Sequence, residues 1–249
     1  MKEKIGHLVA ELKPNLIGMR RAIHRHAETG WTEFWTAAYV VKKLKELGLE
    51  VSYSSEVIKE EAMMGVPSAE ILAACQKRAV EQGADPDIVA KMEGGKTGVV
   101  AVLDTGRPGP TVGFRFDMDA NDVEEAKDRK HRPFAEGFAS LNEGTNHACG
   151  HDAHTAIGLG IAQVLLTIEN DLKGKVKFIF QPAEEGVRGA KAMMEAGVVD
   201  DVDYMIGFHV GSYYRKLGQV ACGGARFFGD DEDRCIFYGR QSCHSRCRA

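Results

Sequence analysis

Short apolar runs alternate with segments of helical periodicity along this sequence, and this alternation constrains the fold more than any other feature. The runs at 98–103 and 175–180 fit buried strands, and the segment after residue 152 carries an apolar stripe at helical spacing. Strands that alternate with helices are typical of a sheet covered by helices. We therefore expect the α/β class, with a largely parallel sheet flanked by helices.

The same patterns predict the remaining elements. A helix is expected to begin after Pro14, and Asp152 is expected to cap the helix that follows it. The polar segment 55–96 is expected to be an insertion with a solvated surface. Predicted helices cover 15–27, 32–47, 68–82, 86–93 and 189–196, and further strands cover 49–53, the stretch leading into Asp119, 204–208 and 218–222.

The segment His147–His154, with the sequence His-Ala-Cys-Gly-His-Asp-Ala-His, is rich in metal-binding residue types. Only one glycine separates Cys149 from His151, so both side chains can reach one ion from a single turn. Thiolate and imidazole are ligands that zinc and its first-row neighbours prefer. The alternative is a polar loop whose histidines cap the next helix. The spacing of Cys149 and His151 favours a metal site.

Candidate ligands also follow the predicted strands. Asp119, the pair Glu184-Glu185 and His209 each lie at or just after a strand end. Ligands gather at the carboxyl ends of strands in open α/β sheets, so we expect these side chains to converge. Three alternatives stay open, which are a strand-end turn at Asp119, a solvated glutamate pair, and a buried structural histidine at His209.

These residues together suggest a metal-dependent hydrolase, which needs ligands, a water molecule and a base beside that water. We predict the ligands Cys149, His151, Glu185 and His209, with Glu184 as the base. Adjacent residues of an extended chain point in opposite directions. On that reasoning Glu185 holds a metal ion while Glu184 faces the water and returns its proton to the leaving amine.

Composition excludes several other classes. The net charge of −4 over 249 residues gives no indication of the basic face that nucleic acids require. No apolar run is long enough to span a bilayer, and the first residues lack the apolar core of a signal peptide. We expect a cytoplasmic protein that binds neither nucleic acid nor membrane.

Three motifs resemble signatures of the M20-type metallopeptidases, in particular the amidohydrolase branch that cleaves N-acyl amino acids. They are Arg115–Ala120, His147–His154 and Gln181–Gly186. Narrower likenesses, at 24–34, 64–67, 104–110, 131–134 and 197–204, favour p-aminobenzoyl-glutamate as the substrate. The resemblance implies a zinc-peptidase-like catalytic domain and a homologous partner subunit or a homodimer.

The resemblance also implies roles for individual residues. It implies two divalent ions, zinc or manganese, and Cys149, His151, Glu185 and His209 match the ligands of the family. Glu184 matches its general base, and Asp119 matches a carboxylate behind the ligands. Asn121 departs from the family, which usually has leucine at this position.

The last 23 residues depart from the family pattern. We expect residues 1–226 to be the N-terminal part of the catalytic domain and 227–249 to be an aberrant tail, with the lid domain and the C-terminal segment of the family absent. We hypothesise a frameshift near Phe227 or Phe228, because some codon choices for the tail encode family-like sequence in another frame. The alternatives are a metal site or a regulatory thiol at Cys243–Cys247. The chain is then either an active hydrolase or an inactive metal-binding fragment that needs a partner.

Overall fold

The computed structural model describes residues 1–211, and the predicted strand 218–222 and the predicted boundary at 226 lie outside that range. The helices are α1 (Lys2–Arg25), α2 (Phe34–Glu46), α3 (Ala69–Glu81), α4 (Pro86–Ala90), α5 (Arg132–Ala135), α6 (His151–Thr167) and α7 (Gly189–Glu195). The strands are β1 (Glu50–Tyr53), β2 (Val99–Asp104), β3 (Thr111–Asp117), β4 (Lys175–Gln181) and β5 (Tyr204–Gly207). One compact unit covers Met1–Phe208, and a second begins at His209.

The five strands form one sheet in the order β1-β2-β4-β3-β5. The expected α/β class with flanking helices is confirmed, but the sheet is mixed rather than largely parallel. Strand β3 runs parallel to β4 and β5, whereas β2 is antiparallel to β1 and β4. Only residues 105–110 join β2 to β3. A parallel connection needs roughly a dozen residues or more, so this short link forces β2 to run against β3 and its neighbour β4.

Both faces of the sheet are covered, which explains the continuous apolar runs. Phe116, Phe178 and Phe180 lie in one buried cluster with residues of α1, α2 and α6. Val100 and Ile179 belong to a second cluster that includes Met193 of α7. Neighbouring residues of a strand point to opposite faces, so a sheet that is buried on both sides needs apolar residues at nearly every position.

Helix α1 is longer than predicted, because it begins at Lys2 and contains Pro14. Proline removes the hydrogen bond that its N–H would make to the carbonyl four residues earlier. Pro14 and Ala10 are both exposed, so water can satisfy that carbonyl. Helix α1 also packs on α6, where the side chain of Leu16 lies against Gly160. The packing of α1 on α6 thus outweighs the lost bond.

Most residues of the segment 55–96 are exposed, as its polarity predicts, but several of its apolar side chains reach the core. Helices α3 and α4 contribute Leu72, Ala79, Ile88 and Val89 to the main core, which also contains residues of α2. One apolar side of each short helix is sufficient for this, and the polar residues on the other side dominate the composition. Among the described residues, no helix combines the length and the apolar character needed to cross a membrane.

Candidate metal centre

A tight turn brings the predicted metal motif to the start of α6. Gly150 has φ +85° and occupies the N-cap position, so Asp152 is not the cap that the sequence predicts. Glycine adopts this left-handed conformation without a Cβ clash, and the turn leaves His151 as the first helical residue. Asp152 is buried, accepts a hydrogen bond from His24 Nδ1 at 2.8 Å and forms an ion pair with Arg20 Nε at 2.6 Å.

The ring of His151 is fully buried and has carboxylates on both of its nitrogens. Its Nδ1 lies 3.3 Å from Asp119 Oδ1. Its Nε2 lies 3.8 Å from Glu184 Oε2 and 3.9 Å from Glu185 Oε1. Metal-binding histidines commonly hold a carboxylate on the nitrogen that does not bind the metal. The arrangement therefore fits an ion on the Nε2 side of His151, with Asp119 orienting the ring.

Glu184 and Glu185 lie in a turn after β4 and not on extended chain. The turn includes Ala183 with φ +48° and Gly186 with φ +82°. Both carboxylates approach the same imidazole, so the argument that they point in opposite directions is wrong. The chain curls after Gln181, and alternation of side chains applies only to extended backbone. Ligand-type atoms of His151, Glu184 and Glu185 all lie within 4.8 Å of one another.

A second cluster, which the sequence did not assign, surrounds Asp117. Its carboxylate bonds to His154 Nδ1 and lies 2.6 Å from Arg115 Nη1. Ligand-type atoms of Asp117, His151 and His154 also lie within 4.8 Å of one another, and all three residues are buried. A spacing of three residues on one helix puts His151 and His154 on the same side of α6, which was the available signal.

The charges of this centre are strongly perturbed. Burial opposes protonation of His151, but the contact with Asp119 and the negative charges of Asp117 and Glu184 outweigh it and raise its pKa to about 9. Burial also opposes ionisation of Asp117, yet His154, His151 and Arg115 hold its pKa well below the usual range.

The pKa of the third motif histidine shifts in the opposite direction, because burial lowers the pKa of His147 to about 4.

Several carboxylates converge on the imidazole of His151, and the Arg115 guanidinium lies beside Asp117 and Glu184. A surplus of oxygen donors around an imidazole is the donor chemistry that a divalent cation requires.

The two remaining predicted ligands are Cys149 and His209. Cys149 is buried, and its backbone N–H donates to Asn121 Oδ1 at 3.0 Å. His209 follows the end of β5 and opens the second compact unit. Its role as a ligand stays a prediction.

Comparisons with known proteins connect this centre to a family. The model of peptidase family M20/M25/M40 matches residues 113–225. The chain is 49% identical over 237 residues to a p-aminobenzoyl-glutamate hydrolase subunit of Escherichia coli (strain K12), and the match covers 95% of this chain and 54% of that protein. It is 48% identical over 235 residues to indole-3-acetyl-aspartic acid hydrolase of Enterobacter agglomerans, covering 94% and 54% respectively.

Solved structures agree with these matches. An aminobenzoyl-glutamate utilization protein from Klebsiella pneumoniae superposes with a TM-score of 0.68 at 45% identity, covering 83% of this chain and 46% of that one. A Bacillus subtilis protein described as a dinuclear metal binding peptidase from the M20 family superposes with a TM-score of 0.60 at 32% identity, covering 80% and 44%.

The chain spans about half the length of the curated relatives it matches. The part that it shares with them includes the three motifs on which the resemblance was based. The fold and the sequence matches agree with that resemblance, and residues 113–225 match the model of peptidase family M20/M25/M40.

Proposed function

We propose that this chain takes part in metal-dependent hydrolysis of the amide bond in N-acyl amino acids. The observation that carries the proposal is the position of His151, whose Nδ1 faces Asp119 while its Nε2 faces Glu184 and Glu185. An oriented imidazole beside two adjacent carboxylates provides ligands and a proton acceptor within one small volume.

We propose two divalent ions held by Cys149 in its reduced form, His151, Glu185 and His209. When bound, such ions polarise a carbonyl and make a water molecule more acidic. A set that mixes sulfur, nitrogen and oxygen donors favours zinc, whereas manganese prefers oxygen donors and is the second choice.

The protein residues carry out the proton transfers. Glu184 accepts a proton from the attacking water and donates it to the leaving amine, so one carboxylate acts first as a base and then as an acid. Asp119 keeps the His151 ring oriented and also accepts the Glu185 N–H at 2.9 Å. Arg115 Nη2 lies 3.9 Å from Glu184 Oε1 and places a positive charge beside the proposed base.

We propose p-aminobenzoyl-glutamate as the substrate. The two curated relatives are named for p-aminobenzoyl-glutamate and indole-3-acetyl-aspartic acid, and each compound joins an aromatic acyl group to an acidic amino acid. Other N-acyl amino acids and dipeptides are the alternative substrates. Because one relative is named as one subunit of its hydrolase, we also propose a homologous partner subunit or a homodimer. Location in the cytoplasm stays a prediction.

A panel of substrates tests the activity. The reduced chain, loaded with zinc or manganese, is incubated with p-aminobenzoyl-glutamate, indole-3-acetyl-aspartate and N-acetyl amino acids, and released amine is measured. We expect hydrolysis of the aromatic acyl substrates, and a loss of at least about 100-fold in Glu184→Gln, the range of general acid–base catalysis.

The competing hypothesis is an inactive metal-binding fragment or a subunit that needs a partner. It predicts stoichiometric metal binding without turnover of any member of the panel, and activity that appears only when a partner subunit is added. A chain that binds no divalent metal ion after reduction contradicts both hypotheses.

A further inference from the structure

Glu33 is a buried carboxyl group that the proposed reaction does not use. It precedes α2, but its side chain makes no cap hydrogen bond to that helix. Its Oε1 instead accepts the backbone N–H of Ala183 at 2.7 Å, and its Oε2 accepts the hydroxyl of Thr97 at 2.7 Å. Glu33 is 0% exposed. A carboxyl group is costly to bury, so such a residue calls for a specific explanation.

The partner of Glu33 lies at the point where β4 ends and the glutamate turn begins. Ala183 is buried and has φ +48°, a conformation that side chains other than glycine rarely adopt. Its carbonyl accepts the N–H groups of Arg188 at 3.2 Å and Gly189 at 2.9 Å. The Ala183 peptide therefore holds the start of the turn, and the direction of Glu184 depends on its conformation.

Packing supports the same contact. A Cβ atom on Gly30 would lie 3.0 Å from Ala183 Cβ and 3.1 Å from Ala183 Cα, so only glycine lets the chain before α2 approach this closely. Two residues further on, Asp119 accepts the Glu185 N–H at 2.9 Å. The backbone on both sides of Glu184 is thus held by a buried carboxyl group. Burial and the nearby charge of Asp119 raise the pKa of Glu33 to about 8.

We propose that Glu33 is a positioning residue, which fixes the direction of Glu184 and Glu185 by holding the Ala183 N–H. The inference rests on the proposed function only in assigning those two glutamates to the metal centre. The effect of Glu33 passes through the backbone of Ala183.

The test compares Glu33→Ala, Glu33→Gln and Glu28→Ala. Glutamine keeps an oxygen that can accept the Ala183 N–H, whereas alanine removes it. Glu28 is the matched control, because it is also a buried carboxyl group but bonds to Trp35 and Thr36 of α2 and not to Ala183. Glu33→Asp, which is shorter by one methylene, replaces Glu33→Ala if that variant does not fold.

Two measurements are made on the full chain under reducing conditions. Zinc affinity is measured by competition with a chromogenic chelator, and amide exchange is measured by mass spectrometry on peptides spanning residues 182–189. We expect Glu33→Ala to weaken zinc binding by about 10-fold or more, as for other groups that orient ligands. We also expect about 10-fold faster exchange in those peptides. Glu33→Gln stays within about 3-fold of the parent in both measurements, and Glu28→Ala changes neither by more than that.

The proposal is overturned if amide exchange at 182–189 is the same in Glu33→Ala as in the parent, or if Glu28→Ala accelerates it equally. If Glu33→Ala accelerates exchange but binds zinc like the parent, the positioning role is also wrong. A parent chain that binds no zinc, with exchange still dependent on Glu33, contradicts the proposed function and leaves only the backbone contact.

Discussion

Gly158 on α6 provides the sharpest test of how the helix that carries His151 is seated on the sheet. A Cβ atom at Gly158 would lie 2.7 Å from Phe116 Cδ2 and 2.9 Å from Phe180 Cε1, where ordinary contacts begin at 3.4 Å. The Phe116 ring would have to retreat by about 0.7 Å (3.4 minus 2.7), and both rings are almost fully buried. We therefore expect Gly158→Ala to destabilise the fold.

The magnitude follows from two opposing effects. Overpacking a core costs about 1–3 kcal/mol, and contact with two confined rings suggests the upper end of that range. Alanine in place of a helical glycine returns about 1 kcal/mol through helix propensity. The expected net loss for Gly158→Ala is about 2 kcal/mol. At Gly18, an exposed position of α1, a Cβ would meet nothing within 4 Å, so Gly18→Ala gains up to about 1 kcal/mol.

Gly160→Ala provides an intermediate case. Its Cβ would meet Leu16 Cδ2 at 2.5 Å, but this atom is the end of a flexible side chain that can rotate away. We expect a change of less than about 1 kcal/mol. Urea unfolding in EDTA, followed by tryptophan fluorescence, measures the series, because Trp31 and Trp35 are both buried. A Gly158→Ala variant as stable as Gly18→Ala would refute the seating of α6.

Three further outcomes are expected. Asn121→Leu introduces the residue usual in the family and removes the acceptor of the Cys149 N–H, so it should lower the free energy of unfolding in urea by about 1 kcal/mol. Asn121→Asp keeps an acceptor and should lower it by less. Burial raises the pKa of Glu28 from 4.5 to about 7, so its contribution to stability is complete below pH 4.5 and is lost as the pH rises towards 7. Unfolding measured at several pH values should show that the free energy of unfolding falls by up to about 3 kcal/mol as the pH rises, and Glu28→Gln should reduce this fall. If the pH profile is unchanged in Glu28→Gln, the pH dependence does not come from Glu28. Zinc at 100 times its Kd should add about 2.7 kcal/mol to the free energy of unfolding and raise Tm by about 5–10 °C, and EDTA should reverse both changes. A Tm that does not respond to EDTA counts against the metal centre.

Much of the fold was predictable wherever one period dominates the sequence. The helix predicted at 32–47 and the strand predicted at 175–180 appear as α2 and β4, within a few residues of the predicted ends. Helix α3 begins one residue after the predicted start, and Ser68 caps it by accepting the N–H of Ile71. These are local properties of the chain, so a local pattern is sufficient to predict them.

Other features depend on contacts between distant residues, which a local pattern does not report. The pairing partner of β2 depends on β4 being inserted between β2 and β3. The burial of Leu72 depends on α2, and the helical conformation around Pro14 depends on packing against α6. The turn at Ala183 has the same origin, because its positive φ is held by Glu33, which lies 150 residues earlier in the chain. Nothing in Gln-Pro-Ala-Glu-Glu indicates that conformation.

The predicted convergence of ligands at strand ends shows how far such reasoning extends. Strands β3 and β4 are parallel, and Asp117 pairs with Gln181, so the chain leaves both strands at one edge of the sheet. That register brings Asp119 close to the glutamate turn, as the rule for open sheets predicts. The rule does not distinguish Asp117 from Asp119, because both would lie on one side of an extended chain.

The end of β3 makes that distinction. The strand ends at Asp117, whose carboxylate bonds to His154 and Arg115. Asp119 lies beyond it, where one oxygen faces His151 Nδ1 and the other accepts the Glu185 N–H. A single carboxylate thus couples the orientation of the imidazole to the backbone of the acidic pair. Any change that moves Asp119 must disturb both, whereas a change at Asp117 acts first on His154. The alternation of a strand predicts where two aspartates lie, and only the end of that strand determines which of them orients His151.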